Sequence, residues 1–273
     1  MQRILTAAVA LPVLLYTVWS EIPYFFVALA TVAVFLALRE FYKLAWKVEC
    51  RVDPIVGHPA ALLVVLCFVL NRPVYIPAIL SALAIAALAF ALSRPEKMDR
   101  SLASVSATVF GVVYVALLAG YLIGVRMIQD APGTSRLGPK LLTMFFALVM
   151  MTDTGAYYAG RTFGRHKLAP RISPGKTLEG SVGGFFAAMI TGPLCKFIFF
   201  PEIPIVHAAA LGALIGILGQ VGDLAESMLK RGAGVKDSGN LLPGHGGMLD
   251  RVDSILFCAP VVYYDSWFFL AGA

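Results

Sequence analysis

Charge is scarce in this 273-residue chain: Asp, Glu, Lys and Arg make up 14% of it, whereas a soluble domain carries roughly 25%. Hydrophobic residues make up 59%, and the apolar runs leave no room between them for a separate soluble domain. The composition therefore excludes a soluble enzyme. It predicts one integral membrane domain over residues 1–273, lying almost entirely in or near the bilayer.

Three familiar site patterns are also missing. The four cysteines show no CxxC spacing, so we expect neither a zinc site nor a disulfide. Gly175-Lys176-Thr177 resembles the end of a Walker A loop, but that motif requires glycine at position 170, where this chain has Pro. No internal repeat is evident, so a transporter built from inverted repeats gains no support.

Apolar runs long enough to cross a bilayer, about 20 residues in a helix, form about nine groups. They predict an all-α fold, a polytopic membrane helix bundle. The predicted spans are residues 4–20, 22–38, 55–71, 74–92, 102–124, 139–158, 179–200, 204–229 and 254–271. In the eighth span, Gly212-x-x-x-Gly216 and Gly219-x-x-Gly222 predict close packing between helices.

The Lys and Arg residues predict the orientation, because these residues concentrate in cytoplasmic loops. With nine spans, most of the 22 cations fall on the same side as the N-terminus. The opposite side carries Arg72, Arg126, Arg136 and Lys140. We therefore expect a cytoplasmic N-terminus and an extracytoplasmic C-terminus. The polar motifs then face the cytoplasm, where nucleotides are available.

The end of the eighth span carries candidate site residues. A spacing of i, i+3, i+4 and i+7 places four polar side chains on one helix face, namely Asp223, Glu226, Ser227 and Lys230. An exposed Glu226–Lys230 pair at a helix end is the simpler alternative. It does not account for Asp223, which lies deeper in an apolar helix, where an ionised carboxylate requires a partner. A metal ion is one such partner.

Glycines and charges alternate in the loop that follows, which contains Arg231, Lys236 and His245. The glycines beside His245 predict the start of the ninth helix, whose free N–H groups favour phosphate. Asp250 and Asp253 share a face of that helix, with capping as their alternative role. Because cations bind phosphate and carboxylates bind Mg²⁺, the window indicates nucleotide chemistry at a membrane surface.

A second polar stretch extends from residue 153 to residue 180. Asp153 lies inside the sixth predicted span and requires a cation or a metal as its partner. The basic residues of this loop could serve only to anchor it to anionic lipid. Ser173, Lys176 and Thr177, however, belong to a run that is denser in special residues than anchoring requires. We expect them to contact substrate.

Three patterns summarise these stretches: D-x-x-A-Y-x-x-G-R-x-x-G at 153–164, I-S-P-x-K-T-x-E-G at 172–180, and S-x-x-K-R-x4-K-D-x-G-x2-L-P-G-H-G-G-x-L-D-R-x-D at 227–253. Together they resemble the phosphatidate cytidylyltransferase (CDP-diacylglycerol synthase) family. The resemblance implies CTP and phosphatidate as substrates, Mg²⁺ as cofactor with room for a second cation, and a homodimer surrounded by lipid in the inner membrane. We expect no nucleic-acid partner, and a motif-bearing catalytic half at about 139–273.

The resemblance also assigns roles to residues. Asp223 and Asp250 would hold Mg²⁺, and Lys230 and Asp253 would complete the catalytic group. Phosphate contacts would come from both polar stretches, through Ser173, Lys176, Thr177, Ser227, Arg231, Lys236 and His245. A phosphate oxygen of phosphatidate would attack the α-phosphorus of CTP, and pyrophosphate would leave, so charge neutralisation would be the main task.

Two alternatives remain open at this point. A CTP-dependent lipid alcohol kinase would share the membrane setting, the metal and the nucleotide, but it would release CDP instead of pyrophosphate. A transporter would also contain intramembrane charge, but it would not turn over CTP. The pattern of CDP-alcohol phosphotransferases, D-G-x2-A-R-x8-G-x3-D-x3-D, is absent.

Overall fold

Helices make up most of the chain in a computed structural model that describes residues 2–93, 95–130, 135–239 and 246–271. The helices are α1 (Gln2–Trp19), α2 (Tyr24–Lys47), α3 (Pro54–Val69), α4 (Ile76–Leu92), α5 (Ser101–Gly111), α6 (Leu118–Arg126), α7 (Leu137–Phe163), α8 (Leu178–Ile198), α9 (Ile205–Gly232) and α10 (Leu249–Ala271). Short 3-10 turns occupy Pro73–Tyr75 and Pro95–Arg100, and a π-helical segment, Val112–Leu117, joins α5 to α6.

Every predicted span coincides with a helical stretch, so the prediction of a helical membrane protein is confirmed. Among the described residues, six stretches are long and apolar enough to cross a membrane: Tyr24–Lys47, Pro73–Leu92, Met98–Arg126, Leu137–Phe163, Leu178–Ile198 and Ile205–Gly232. Val9–Trp19 and Pro54–Val69 are apolar but shorter. The count of nine crossings and the orientation of the termini stay predictions.

The chain divides into two compact units. The first unit consists of Met1–Met127 and Leu229–Val252, and the second consists of Ile128–Met228 and Asp253–Ala273. Helices α9 and α10 therefore contribute residues to both units. The expectation of a single membrane domain stays a prediction.

Tyr42 of α2, which is 1% exposed, is one of the largest side chains in the core of the first unit. Its hydroxyl donates to the carbonyl oxygen of Thr108 in α5 at 3.1 Å. A Cβ atom at Gly57 in α3 or at Gly111 in α5 would clash with the Tyr42 ring or its hydroxyl. The two glycines thus let α3 and α5 approach α2 closely, which fixes the polar end of α2.

Close backbone approach also organises the second unit. A Cβ atom at Gly155 of α7 would overlap Ala187 of α8, and one at Gly184 would lie 2.7 Å from the carbonyl oxygen of Thr152. Gly212 of α9 packs in the same way on Ala188, as the small-residue spacing predicted. Such contacts let helices pack without bulky side chains between them. They bring the polar ends of α7, α8 and α9 together.

A two-stranded antiparallel hairpin precedes α8, which an all-α prediction did not include. Strand β1 (Lys167–Ala169) pairs with β2 (Ser173–Thr177), with Lys167 opposite Thr177 and Ala169 opposite Ser173. The Glu179 carboxylate accepts bonds from the backbone nitrogens of Arg165 and His166, which ties the start of the hairpin to α8. The basic loop is therefore a fixed element of structure.

Candidate active site

The second unit contains a pocket of about 420 Å³ at the polar ends of α7, α8 and α9. This volume lies within the range of small-molecule sites. Its walls are Asp153, Ala156, Tyr157, Gly160, Arg161, Leu168, Gly175, Lys176, Thr177, Gly180, Ser181, Gln220 and Asp223. Four residues that the sequence singled out thus line one pocket: Asp153, Lys176, Thr177 and Asp223.

An ion pair joins the hairpin to α9 inside this pocket. Nζ of Lys176 lies 2.5 Å from Oδ2 of Asp223. The direction of the contact does not meet hydrogen-bond geometry, and Nζ is buried without an aligned acceptor. A buried ammonium has three donors and is costly to leave unsatisfied. Lys176 therefore has donors available for an anionic ligand in the pocket.

The polar face predicted at the end of α9 is present. Oγ of Ser227 lies 3.4 Å from Oδ1 of Asp223, one helical turn away. Glu226 is fully buried, so the simpler alternative of an exposed Glu226–Lys230 pair at a helix end is wrong. Asp223 is about one-third exposed, and this leaves its carboxylate accessible from the pocket.

Thr177 and Ser173 have structural roles that the sequence did not indicate. Thr177 is the N-cap of α8, and its hydroxyl accepts from the backbone nitrogen of Gly180 at 3.1 Å. A capping hydroxyl satisfies one of the free N–H groups at a helix start. Ser173 begins β2 opposite Ala169. The hairpin and the cap together fix the backbone on both sides of Lys176.

The first unit holds a second polar cluster, centred on Asp250. Its Oδ1 accepts from Nζ of Lys230 at 2.6 Å, and its Oδ2 accepts from the backbone nitrogens of Gly247 at 2.7 Å and Ser238 at 3.0 Å. The side chain is only 6% exposed. A carboxylate offers about four lone-pair directions, and most are used here. Asp250 therefore organises the start of α10 while it is paired with Lys230.

The remaining predicted residues have varied surroundings. Arg231 is exposed and donates to the carbonyl oxygen of Val235 at 3.2 Å, while Lys236 is exposed on the loop. Oδ1 of Asp253 accepts from the backbone nitrogen of Ser254 at 2.6 Å, a local contact at the start of α10. His245 lies outside the described residues.

The donor set fits Mg²⁺ if substrate supplies part of the coordination. Within the described ranges no three or more His, Cys, Asp or Glu side chains form a metal-binding group. Mg²⁺ needs no such cage, because it is usually held by one or two carboxylates together with phosphates and water. Asp223 and Asp153 line the same pocket, and the contact with Lys176 shows that the Asp223 carboxylate accepts a cation. Asp250 would have to release a donor to bind metal.

Two site-related residues were missed by the sequence reading. Gln220 lines the pocket, and its amide donates to the carbonyl oxygens of Ser181 and Gly216 at 3.0 and 2.8 Å. Glu40 of α2 is buried against residues of the glycine-rich loop. The signal for both was a polar side chain on a mostly apolar helix.

The chain is similar to known proteins over nearly its whole length. The model of the cytidylyltransferase family matches residues 1–269. A phosphatidate cytidylyltransferase of Synechocystis is 35% identical over 96% of this chain and 95% of its own length. The enzyme of the same name from Bacillus subtilis is 40% identical over 56% of this chain, and that from Staphylococcus saprophyticus is 48% identical over 46%.

The extent of these matches differs between relatives. The aligned region spans about half the length of the Bacillus and Staphylococcus proteins, 54% and 48%, whereas it spans nearly all of the Synechocystis protein. The family model covers almost the whole chain, including both polar clusters and the N-terminal helices. The chain belongs to the cytidylyltransferase family.

Proposed function

We propose that this chain transfers the CMP moiety of CTP to phosphatidate, forming CDP-diacylglycerol and pyrophosphate. The observation that carries the proposal is the buried Lys176 ammonium, paired with Asp223 inside a pocket of nucleotide-compatible size. The pair provides a cation that can bind phosphate and a carboxylate that can bind a metal ion. The chain that carries this pair belongs to the cytidylyltransferase family. Relatives named phosphatidate cytidylyltransferase support the same reaction.

The reaction requires charge neutralisation more than a strong base. Phosphatidate carries an ionised phosphate near neutral pH, as phosphate monoesters do. One of its oxygens forms a bond to the α-phosphorus of CTP, and the bond from that phosphorus to the bridging oxygen of pyrophosphate breaks. Lys176 would contact the phosphates, because it lines the pocket and its ammonium has no hydrogen-bond acceptor among the described residues. Lys230 and Lys236, which belong to the first unit, would be the further phosphate contacts that the family resemblance implies.

Mg²⁺ would supply Lewis-acid stabilisation of the charge on the phosphates. Asp223 would be its main protein ligand, with Asp250 as the second ligand that the family resemblance implies. The Lys176 ammonium lies beside Oδ2 of Asp223, at the position that a metal ion bound to this oxygen would occupy. If this ammonium turned to a phosphate oxygen, Oδ2 of Asp223 would be free to hold Mg²⁺. Lysine thus keeps the carboxylate neutralised before substrate arrives.

The proposed setting is the bacterial inner membrane, with the pocket on the cytoplasmic side. The apolar helices indicate a multi-pass membrane protein, and the named relatives are bacterial. CTP is available on the cytoplasmic side, and a lipid phosphate already lies at the interface. A pocket that opens toward lipid would receive phosphatidate without extracting it. A homodimer remains part of the proposal.

Product analysis tests the reaction directly. We expect purified protein in detergent or vesicles to release pyrophosphate only when CTP, phosphatidate and Mg²⁺ are all present. The lipid product should contain the CMP group, traced with CTP labelled in its cytosine or α-phosphate. Release of CDP with a lipid alcohol would assign the chain to the kinase class instead. The absence of any CTP turnover would favour a transporter.

Cysteine labelling tests the orientation. We expect Arg171→Cys, in the turn between β1 and β2, to react with a membrane-impermeant maleimide only after cells are permeabilised. The matched control is Arg72→Cys between α3 and the 3-10 turn, which should react in intact cells. Both are made in a variant that lacks Cys50, a native cysteine that is only partly buried. Labelling of Arg171→Cys from outside would reverse the topology and exclude access to cytoplasmic CTP.

A further inference from the structure

A buried carboxylate of α2 contacts the glycine-rich loop within the first unit. Glu40 is 5% exposed. Its Oε2 accepts a bond from the Ser238 hydroxyl at 2.9 Å and another from the backbone nitrogen of Leu249 at 2.8 Å. About 200 residues of sequence separate Glu40 from these partners. The contact therefore joins an N-terminal helix without motifs to the segment that carries the longest motif.

Two glycines of that motif are explained by Glu40. A Cβ atom at Gly239 would lie 2.5 Å from Oε1 of Glu40, and a Cβ atom at Gly247 would overlap Oε2 of Glu40 and the hydroxyl of Ser238. Neither glycine has positive φ, so conformational freedom is not the reason for glycine there. The backbone has to approach a carboxylate closely, and any side chain would block that approach.

The partners of Glu40 are also partners of Asp250. Ser238 donates its hydroxyl to Glu40 and its backbone nitrogen to Asp250. Gly247 contacts Glu40 and donates its backbone nitrogen to Asp250 at 2.7 Å. Leu249 is the first residue of α10, and a carboxylate is favourable at the free N–H groups of a helix start. The two acids thus share partners at both ends of the loop.

We propose that Glu40 is a positioning residue for cytidylyl transfer. It holds Ser238 and Leu249 so that Asp250 and Lys230 have a fixed arrangement when substrate binds; this role rests on the proposed function. Burial of a carboxylate against apolar helices is unfavourable unless its bonds are satisfied. Packing alone would therefore favour an apolar residue at position 40. A glutamate there is explained by the hydrogen bonds that it accepts from the two ends of the loop.

The test compares Glu40→Ala and Glu40→Gln with Tyr42→Phe. Glutamine can keep one oxygen toward both donors, while alanine leaves both donors without an acceptor. Tyr42→Phe removes a buried hydrogen bond from the same helix but leaves the loop contacts untouched. Thermal stability of the detergent-solubilised proteins identifies a general loss of structure. Hydrogen exchange of the peptide covering residues 246–252, together with kcat and KM for CTP, reports on the loop.

We expect Glu40→Ala to raise the exchange rate of this peptide and to lower kcat/KM for CTP about 100-fold, as small misplacement of catalytic groups can do. Glu40→Gln should stay within about tenfold of wild type, because it loses the charge but keeps an acceptor. Tyr42→Phe should change neither exchange of the peptide nor kcat/KM. Adding Ser238→Ala to Glu40→Ala should cause little further loss, because both act through one contact.

The outcomes separate the positioning role from the reaction itself. If Glu40→Ala leaves the exchange of residues 246–252 unchanged, or if Tyr42→Phe causes an equal loss of activity at equal stability, the positioning role is wrong. If wild type makes no CDP-diacylglycerol, the proposed function is wrong, and the exchange data still decide whether Glu40 holds the loop. A normal kcat/KM in Glu40→Ala, measured on active enzyme, would also overturn the proposal.

Discussion

Replacing Asp223 by Asn should lower turnover at least about 100-fold, a loss typical of removing a key electrostatic contact from an active site. Asn has nearly the same shape, so the change removes charge and leaves packing intact. The side chain lines the pocket and pairs with Lys176 at 2.5 Å. Without that charge, neither the Lys176 ammonium nor a metal ion has its partner. The measurement is pyrophosphate release across a Mg²⁺ titration.

Folding should survive this substitution. The pair is partly exposed, with 26% of the Lys176 side chain and 33% of the Asp223 side chain accessible. Ion pairs of such exposure contribute about 0–1 kcal/mol to the free energy of unfolding. A neutral amide is also less costly than an ionised acid in an apolar helix. The variant should therefore insert and fold with only a small loss of thermal stability, because the asparagine keeps an oxygen that can face the buried Lys176 ammonium.

Neutralising both members of the pair separates catalysis from structure. Lys176→Ala alone should also reduce turnover about 100-fold, since alanine cannot supply a charge to phosphate. If the pair only stabilised the fold, a variant with both Lys176→Met and Asp223→Asn would recover activity, because no charge is left unpaired. We expect the double variant to remain as slow as the slower single variant. Near-normal turnover in Asp223→Asn at all Mg²⁺ concentrations would contradict its metal role.

The helices could be located from the sequence because hydropathy identifies long apolar segments, and such segments have to be buried in lipid or in protein. Hydropathy located the helix ends less well. The second predicted span stopped at residue 38, just before the cation Arg39, yet α2 continues to Lys47. Phe41, Tyr42 and Leu44 are buried there, so one face of the polar-looking segment belongs to the core. Hydropathy averages over all faces of a helix and cannot detect this.

This error explains why Glu40 was missed. Residues 39–51 were assigned to a cytoplasmic loop, where an acid needs no explanation, whereas the same reasoning applied to Asp223 identified an intramembrane acid as a candidate. The hairpin of β1 and β2 was missed for a different reason. Its strands have three and five residues, and they are fixed by Glu179 and by Thr177 as a cap, contacts that appear only after folding.

The sequence also could not show how the candidate residues are distributed. Ser173, Lys176, Thr177, Asp223, Ser227 and Asp253 belong to the second unit, and Lys230, Arg231, Lys236 and Asp250 to the first. Motif spacing along one continuous stretch, 227–253, indicated a single group. Compact units are defined by contacts distant in sequence, such as those between Glu40 and the loop. The hypothesis that Asp223 and Asp250 share a metal ion stays a prediction.

Asp250→Asn should also lower turnover at least about 100-fold, because it removes the charge that pairs with Lys230 and disturbs the hydrogen bonds that hold the loop. Its carboxylate accepts from Lys230, Ser238 and Gly247 while 6% exposed. Asn keeps one oxygen, and its amide group would point a donor at one of these donors. The loop should therefore loosen, and hydrogen exchange of residues 246–252 should rise. This rise distinguishes Asp250 from Asp223, whose replacement should leave that peptide unchanged.

Asp237→Asn is the matched control, because Asp237 is an exposed acid beside Ser238. It should reduce turnover less and leave the exchange rate near that of wild type. The variant with both Asp223→Asn and Asp250→Asn then tests the shared metal ion. Groups that act as a unit are non-additive, so a shared ion predicts a double variant little slower than either single variant. If the two losses instead multiply, the carboxylates act independently. In that case Asp250 contributes through the Lys230 pair and the loop, and the metal ion is held on the Asp223 side alone.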